Sequence, residues 1–184
     1  MSITHPLRKR IPLFLGAEGP KNVELAARSF DGWFPMLLPP DRFDIYADAL
    51  RVAPPGFEIL QTLYMSTDGD RDAAMLPIRQ NVALYVGGMG SREENFHKRV
   101  VERCGYGEAA QRIQDLWLGG RQKEAVQAVP DEFIEATSLV GSREQLRERL
   151  KLWRASPVTT LLMARAPTFE ETVANMEFLA AEAA

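Results

Sequence analysis

One stretch near the start of the chain, residues 11–27, constrains the fold more than any other. It opens with a short, continuous apolar run, which is typical of a strand buried on both faces of a sheet. From Pro20 onward the apolar residues recur at helical spacing, and Pro20 itself suits the first position of a helix. Gly16 and Gly19 lie between the two, where glycine lets a backbone turn and approach a ligand closely. The stretch therefore predicts a strand, a glycine turn and a helix.

A helix that begins at such a turn points free N–H groups and the positive end of its dipole at one place. This arrangement predicts an anion site, most often one for phosphate. The predicted site consists of seven consecutive residues: Gly16, Ala17, Glu18, Gly19, Pro20, Lys21 and Asn22. An ordinary strand-to-helix turn without a ligand is the alternative, and the residues alone leave both open.

The composition fits one globular domain, with 184 residues, 46% of them apolar, and a net charge of −3. Because the balance is mildly acidic and no basic stripe is present, nucleic acid is not an expected partner. No apolar run approaches the roughly 18 residues of a membrane span, and no signal peptide is recognised before Gly16. The single cysteine, Cys104, fits a reducing cytoplasm and is expected to be packed in the core rather than nucleophilic.

Strands and helices alternate along the rest of the chain. Further strands are predicted at residues 32–37, 57–66 and 157–163. Residues 71–138 are predicted as several consecutive helices. The alternation predicts an α/β fold with a parallel sheet.

Several residues are predicted to begin or end the helices. Asp41 is expected to cap a helix that runs to Ala53. Ser91 and Ser142 each begin a capping box, and Gly87-Gly88 is expected to end a helix.

No metal site is predicted. The acidic loop that starts at Asp68 suggests a calcium loop, but its sixth and twelfth positions hold Ala73 and Arg79, where glycine and glutamate are required. His97 has Val101 four residues later instead of a second ligand, so a zinc site is not expected. The sequence also lacks a recognisable Ser/His/Asp set or pair of catalytic carboxylates.

Residues 16–26, followed by Asp31-Gly32-Trp33, resemble the fifth strand, turn and helix and the sixth strand of the luciferase-like monooxygenase family. They are most similar to the branch that uses the deazaflavin coenzyme F-420. Three later blocks are similar to family blocks in the same order: Leu84–Gly90, Ala136–Gly141 and Val158–Leu161. The resemblance runs from about Ile11 to the C-terminus.

This resemblance implies a TIM barrel whose turn after strand five holds the coenzyme phosphate, through backbone amides of Gly19 to Asn22. Lys21 would add charge, and Glu18 would fix the turn or face the isoalloxazine side; a solvated lysine and a surface carboxylate are the alternatives. The coenzyme implied is F-420, with FMN as the alternative. The reaction implied is hydride transfer or monooxygenation on a small-molecule substrate, with paired donors or alcohol-type compounds as substrates.

A complete (β/α)8 barrel needs about 250 residues, so the resemblance implies a partial TIM barrel, strands five to eight, in a single domain over residues 1–184. The helical region 71–138 would be an insertion before the last strand. Because the family's catalytic residues come mainly from strands one to four, no catalytic residue is predicted. The chain is expected to be a truncated oxidoreductase, and a non-catalytic binding or structural half-barrel is the alternative. The open sheet edges predict a homodimer or a complementing half-barrel.

Overall fold

A computed structural model describes residues 10–67 and 69–183. Residues 1–9, which include His5, Arg8 and Lys9, lie outside the described residues, as does Asp68 of the acidic loop.

Strands and helices alternate along the described chain. The strands are β1 (Phe14–Gly16), β2 (Gly32–Phe34), β3 (Glu58–Thr67), β4 (Ser138–Gly141) and β5 (Thr160–Met163). The helices are α1 (Pro20–Ser29), α2 (Ala47–Leu50), α3 (Arg71–Gly88), α4 (Phe96–Val101), α5 (Gly107–Leu118), α6 (Gln122–Gln127), α7 (Asp131–Thr137), α8 (Arg143–Ala155) and α9 (Phe169–Ala183). A 3-10 turn (Phe43–Tyr46) precedes α2, and a π-helical segment (Glu102–Tyr106) joins α4 to α5.

All pairs of neighbouring strands in the described sheet are parallel. β1 pairs with β2, and β2 pairs with the first residues of β3. Further along, β3 pairs with β5 through Leu60–Leu63 and with β4 through Tyr64–Thr67. The predicted α/β fold with a parallel sheet is confirmed. The assignment of these strands to the second half of a barrel stays a prediction.

The first strand is shorter and more exposed than the apolar run predicted. β1 has three residues, and Leu13 just before it is 59% exposed. β1 has β2 on one side and, within the described chain, no strand on the other. The prediction of a strand buried on both faces was wrong: Phe14 and Leu15 are only half-buried and Gly16 is exposed in this edge strand.

Two predicted helix starts were also wrong. Asp41 caps no helix, since the 3-10 turn begins at Phe43 without a side-chain cap. The Ser91 hydroxyl does accept the N–H of Glu94 at 2.9 Å, but α4 begins only after Asn95. The side-chain oxygen of Asn95 accepts the N–H of Lys98 at 2.9 Å, so Asn95 is the residue that caps this helix.

Gly87 and Gly88 lie within the last turn of α3 rather than beyond its end. A Cβ atom placed on Gly87 would lie 2.5 Å from Cβ of Trp117, and one on Gly88 would lie 2.5 Å from its indole nitrogen. The predicted helix end at Gly87-Gly88 is confirmed, since α3 ends at Gly88. Met89 is the C-cap residue, however, and the two glycines make room for Trp117 of α5.

The helical region ends as predicted but leads into an additional strand. The hydroxyl of Ser138 donates to the carbonyl of Ile134 at 2.7 Å, and β4 follows α7 without a loop. The helical insertion therefore lies between β3 and β4, and α8 separates β4 from the last strand. The predicted capping box at Ser142, with Gln145 as its partner, is confirmed at the start of α8.

Two apolar clusters form the core. The larger one surrounds Trp33 of β2 and includes side chains from α1, the 3-10 turn, α3, α5 and α7. The smaller one packs α8 and α9 against β3 and β4, with these buried members: Leu63, Met65, Leu139, Leu146, Leu150, Trp153 and Phe178. Over residues 10–67 and 69–183, every helix is too short or too polar to cross a membrane.

Candidate active-site cleft

The predicted glycine turn connects β1 to α1. Gly19 is the N-cap of α1 in an extended conformation (φ −85°, ψ 139°), and Pro20 is the first helical residue, as predicted. Neither Gly16 nor Gly19 has a positive φ. A Cβ on Gly19 would meet no atom within 4 Å, and one on Gly16 would only touch the carbonyl oxygen of Phe34 at 4.0 Å. These glycines keep space open in front of the helix; the turn does not need their backbone freedom.

Buried hydrogen bonds hold the middle of the turn. The indole nitrogen of Trp33 donates to the carbonyl of Ala17 at 2.7 Å. The next carbonyl, that of Glu18, accepts from the Tyr46 hydroxyl at 2.7 Å and from the Arg103 guanidinium at 3.0 Å. Because these donors come from β2, the 3-10 turn and the π-helical segment, three separate elements determine the position of the turn.

The π-helical segment owes its shape to Gly105, whose φ of 98° is in the left-handed region that favours glycine. The Arg42 guanidinium donates to the carbonyls of the two residues that precede Gly105, Arg103 (3.0 Å) and Cys104 (2.7 Å). These bonds fix the part of the chain that places Arg103 against Glu18. Cys104 itself is 3% exposed, and burial raises the pKa of its thiol to about 11, as expected of a packed cysteine.

The start of α1 offers two backbone donors. Asn22 and Val23 donate their N–H groups to the carbonyl of Gly19 at 2.9 and 3.0 Å. Pro20 has no N–H, so the donors that remain at the turn are the N–H groups of Gly19 and Lys21. The Lys21 side chain is exposed.

The turn forms one wall of a cleft of about 320 Å³. Gly16, Ala17, Glu18, Gly19 and Asn22 supply this wall; the rest of the lining is Phe34, Met36, Phe96 and His97. Three of these four are large apolar residues. A small apolar cleft with a few polar groups at one end is the usual form of a ligand site.

Glu18 is the buried ionisable group of the cleft. Its side chain is 9% exposed, and Oε1 accepts the N–H of Met36 at 3.1 Å. Oε2 has no hydrogen-bond partner among the described residues. Burial raises the pKa of Glu18 to about 8, against the opposing effects of the Met36 hydrogen bond and of Arg103. At neutral pH the side chain is therefore mostly a neutral acid, and the surface carboxylate considered from the sequence is excluded.

His97 faces Glu18 across the cleft. Its Nδ1 lies 3.7 Å from Oε1 of Glu18, and its ring packs edge-on against Tyr85 with centroids 4.7 Å apart. Burial lowers the pKa of His97. The side-chain amide of Asn95 binds the carbonyls of Tyr85 and Val86 at 3.0 and 2.8 Å, which anchors the start of α4 and with it His97.

Sequence reasoning missed His97 as part of this site. The sequence pattern suggests for it only a zinc site, which the lack of a second ligand at Val101 argues against. It reaches the cleft from α4 in the helical region, and no spacing pattern links it to Glu18, 79 positions earlier. The residues described by the structure contain no group of three or more His, Cys, Asp or Glu side chains that could hold a metal ion.

Of the carboxyl ends of β2 and β3, only that of β2 reaches the cleft at the turn. Met36, after β2, lines the same cleft. Ser66 and Thr67, at the end of β3, line a separate cavity of about 580 Å³ against α9.

Comparison with known proteins shows which chains this one is similar to. Residues 1–160 match the luciferase-like monooxygenase family. A Mycobacterium tuberculosis protein named as a coenzyme F-420-dependent oxidoreductase is 41% identical over 170 residues, which is 88% of this chain and 49% of that protein. The 5,10-methylenetetrahydromethanopterin reductase of Archaeoglobus fulgidus is 28% identical over 164 residues, covering 83% of this chain and 47% of the reductase.

Among solved structures, the coenzyme F-420-dependent tetrahydromethanopterin reductase of Methanopyrus kandleri has a similar fold. Its TM-score is 0.68 at 22% identity, and the match covers 94% of this chain and 50% of the reductase. The chain therefore spans about half the length of the curated relatives it matches, and its fold resembles half of that reductase.

Proposed function

The chain belongs to the luciferase-like monooxygenase family, and we propose that it binds coenzyme F-420 with the coenzyme phosphate at the turn Gly16–Asn22. The proposed role is that of an oxidoreductase acting on a small-molecule substrate. The relatives named for this coenzyme support the proposal. FMN is the alternative coenzyme.

The observation that carries the proposal is the open space at Gly19. A Cβ there would meet nothing within 4 Å, although the residue lies at the start of a ten-residue helix and in the wall of a cleft. A phosphate in this space would accept the N–H groups of Gly19 and Lys21 and lie at the positive end of the α1 dipole. Ala17 and Gly16 keep the neighbouring wall small.

The other residues of the cleft also fit a coenzyme with a ring and a phosphate. Phe34, Met36 and Phe96 offer apolar surface to a flat ring, and Glu18 supplies a buried oxygen, Oε2, that has no partner within the described chain. Because burial keeps Glu18 mostly neutral at pH 7, it does not repel an anion as a carboxylate would.

When bound, a deazaflavin supplies the carbon that accepts or gives hydride. The residues of this chain are proposed to bind and orient it: the amides at the turn hold the phosphate, and the apolar wall excludes water from the ring. No catalytic residue is assigned.

Fluorescence titration of the protein with coenzyme F-420, and separately with FMN, tests the proposal. We expect saturable binding of F-420 that is tighter than that of FMN. Tighter binding of FMN would reverse the choice of coenzyme, and absence of binding of either would refute the proposal. Saturable binding without hydride transfer to any offered alcohol or ketone would favour the non-catalytic binding module.

A further inference from the structure

Two side chains that line the cleft each contain a buried polar atom without a hydrogen-bond partner among the described residues. These atoms are Oε2 of Glu18 and Nδ1 of His97. The distance from Nδ1 to the other carboxyl oxygen, Oε1, is 3.7 Å, slightly beyond hydrogen-bonding range. Unpaired polar atoms are costly in a protein interior, so such a pair marks a place where a ligand or a small rotation completes the bonds.

A hydrogen bond between the two side chains needs a proton on one of the facing atoms. Either the neutral histidine carries it on Nδ1 and donates to an ionised carboxylate, or a neutral carboxylic acid donates its O–H to Nδ1. Glu18 is buried and its Oε2 has no partner in the described chain, which favours the second arrangement, because an ionised carboxylate would be poorly solvated there. With one proton on the pair, the carboxyl O–H can donate to Nδ1 or to an oxygen of a ligand in the cleft.

We propose that Glu18 and His97 hold one proton between them and that an anionic, phosphate-bearing ligand binds in the cleft only while this proton is present. The inference rests on the proposed function, because the phosphate-bearing ligand is the one assigned to the turn. At a pH at which Glu18 is neutral, the ligand binds without uptake or release of a proton. Where Glu18 is ionised, binding takes up one proton from solution and places it on the carboxyl.

The physical reason is that the carboxyl and the proposed anion site share one cleft. Glu18 lines this cleft together with Gly19 and Asn22, so a negative charge on it would repel a bound phosphate across a poorly solvated space. Like charges in such a space repel by amounts that water screens only partly. A protonated Glu18 removes this repulsion and adds a donor.

The charged and titratable groups around Glu18 decide where the proton resides. Arg103, from the π-helical segment, favours the ionised carboxylate, and Tyr46, from the 3-10 turn, donates to the main chain of Glu18. Lys21 on α1 is exposed, so water screens its charge. Burial outweighs these effects and raises the pKa of Glu18 to about 8, while burial lowers the pKa of His97, so the proton resides on Glu18 at neutral pH.

The first test is the pH dependence of F-420 binding to the wild-type protein and to Glu18→Gln. With the ionisation of Glu18 near pH 8, wild-type affinity should fall about tenfold between about pH 7 and about pH 9. Glu18→Gln should bind with nearly the same affinity at both pH values, because the amide stays neutral. Any titration of the ligand itself is present in both proteins and cancels in the comparison.

Glu24→Gln is the matched control, since Glu24 lies on α1, just after the turn, but forms an exposed ion pair with Arg28. It should keep the wild-type pH dependence. If Glu18→Gln keeps that dependence too, the inference is overturned while the proposed function stands. If F-420 does not bind at any pH, the proposed function fails instead.

The second test needs no ligand and no variant of Glu18. The ¹³C resonance of the Glu18 carboxyl in the free protein should titrate with a midpoint near 8. In His97→Gln this midpoint should fall, because the neutral acid loses its imidazole acceptor. A midpoint within the ordinary carboxyl range in the wild type, or one that His97→Gln leaves unchanged, would overturn the shared proton.

Discussion

The indole nitrogen of Trp33 donates a hydrogen bond of 2.7 Å to the carbonyl oxygen of Ala17. Trp33 is fully buried on β2, and Ala17 lies in the turn that begins the proposed anion site. The ring is held by edge contacts with Phe43 and Tyr46, at centroid distances of 6.0 and 5.0 Å. Trp33 is therefore one of the side chains through which the core holds the turn, together with Tyr46 and Arg103, which bind the next carbonyl.

Trp33→Phe should weaken both the fold and the cleft. The substitution removes the bond to Ala17 and leaves a small cavity, so we expect the free energy of unfolding to fall by about 2 kcal/mol. Urea denaturation measures this change. F-420 affinity should fall as well, because the turn is no longer tied to β2.

Trp153→Phe is the control for that experiment, since Trp153 is buried in the other cluster, against α9 and β3. It should reduce stability without changing F-420 affinity in protein that remains folded. Equal loss of affinity in both variants would contradict a specific link between Trp33 and the turn.

Glu18→Gln should change how stability depends on pH. The raised pKa of Glu18 means that the folded protein retains a proton that the unfolded chain releases above about 4.5. The resulting stabilisation is fully present below that pH and is lost as pH rises towards about 8, by up to roughly 5 kcal/mol in total.

Urea denaturation at several pH values measures this loss. Other groups titrate in both proteins, so the difference between wild type and Glu18→Gln isolates Glu18. The variant should gain stability relative to the wild type across the window from 4.5 to 8. A constant difference over that range would show that Glu18 ionises normally in the folded protein.

Gly87→Ala should destabilise the protein despite the higher helix propensity of alanine. Alanine gains up to about 1 kcal/mol in a helix, but its Cβ would lie 2.5 Å from Trp117. Overpacking of this kind costs about 1 to 3 kcal/mol, which should exceed the gain in helix propensity. Gly107→Ala, at the first residue of α5 with no atom within 4 Å of the new Cβ, should be neutral or stabilising. Thermal unfolding measures the stability of both variants against that of the wild type. A Gly87→Ala protein as stable as the wild type would contradict the packing role of Gly87.

The sequence predicted the parts of the fold that are encoded locally. The strand, turn and helix around Gly19, the capping box at Ser142 and the parallel α/β order depend on neighbouring residues, and the structure has them. β4 was not predicted, because Ser138 follows α7 without the glycine or proline that usually separates a helix from a strand.

Features that depend on distant contacts could not be predicted. The packing role of Gly87 could not be recognised because the residue it accommodates, Trp117, is 30 positions away. His97 was set aside for the same reason: its partner, Glu18, meets it only after the helical region folds back over the turn. The raised pKa of Glu18 likewise comes from burial, which the sequence around it does not reveal.

The exposed sheet edges lead to a proposal about assembly. Within the described chain, β1 pairs only with β2 and β5 only with β3, and Leu13 and Leu162 near these edges are 59% and 38% exposed. We propose that a second copy or a complementing half-barrel covers them. Sedimentation should show self-association of the isolated chain, or a dye for apolar surface should bind to it. A dilute monomer that unfolds cooperatively and binds no dye would contradict this proposal.

The most direct test of the phosphate site is to fill the space at Gly19. Gly19→Leu places a Cβ where the structure has no atom within 4 Å, and the φ of −85° accepts leucine without strain, so the fold should be retained. Gly107→Leu is the matched control, a glycine at another helix start with equal room outside the cleft. In a fluorescence titration with F-420 we expect Gly19→Leu to bind at least about tenfold more weakly and Gly107→Leu to bind like the wild type. Unchanged affinity in folded Gly19→Leu would show that the coenzyme phosphate does not lie at this turn.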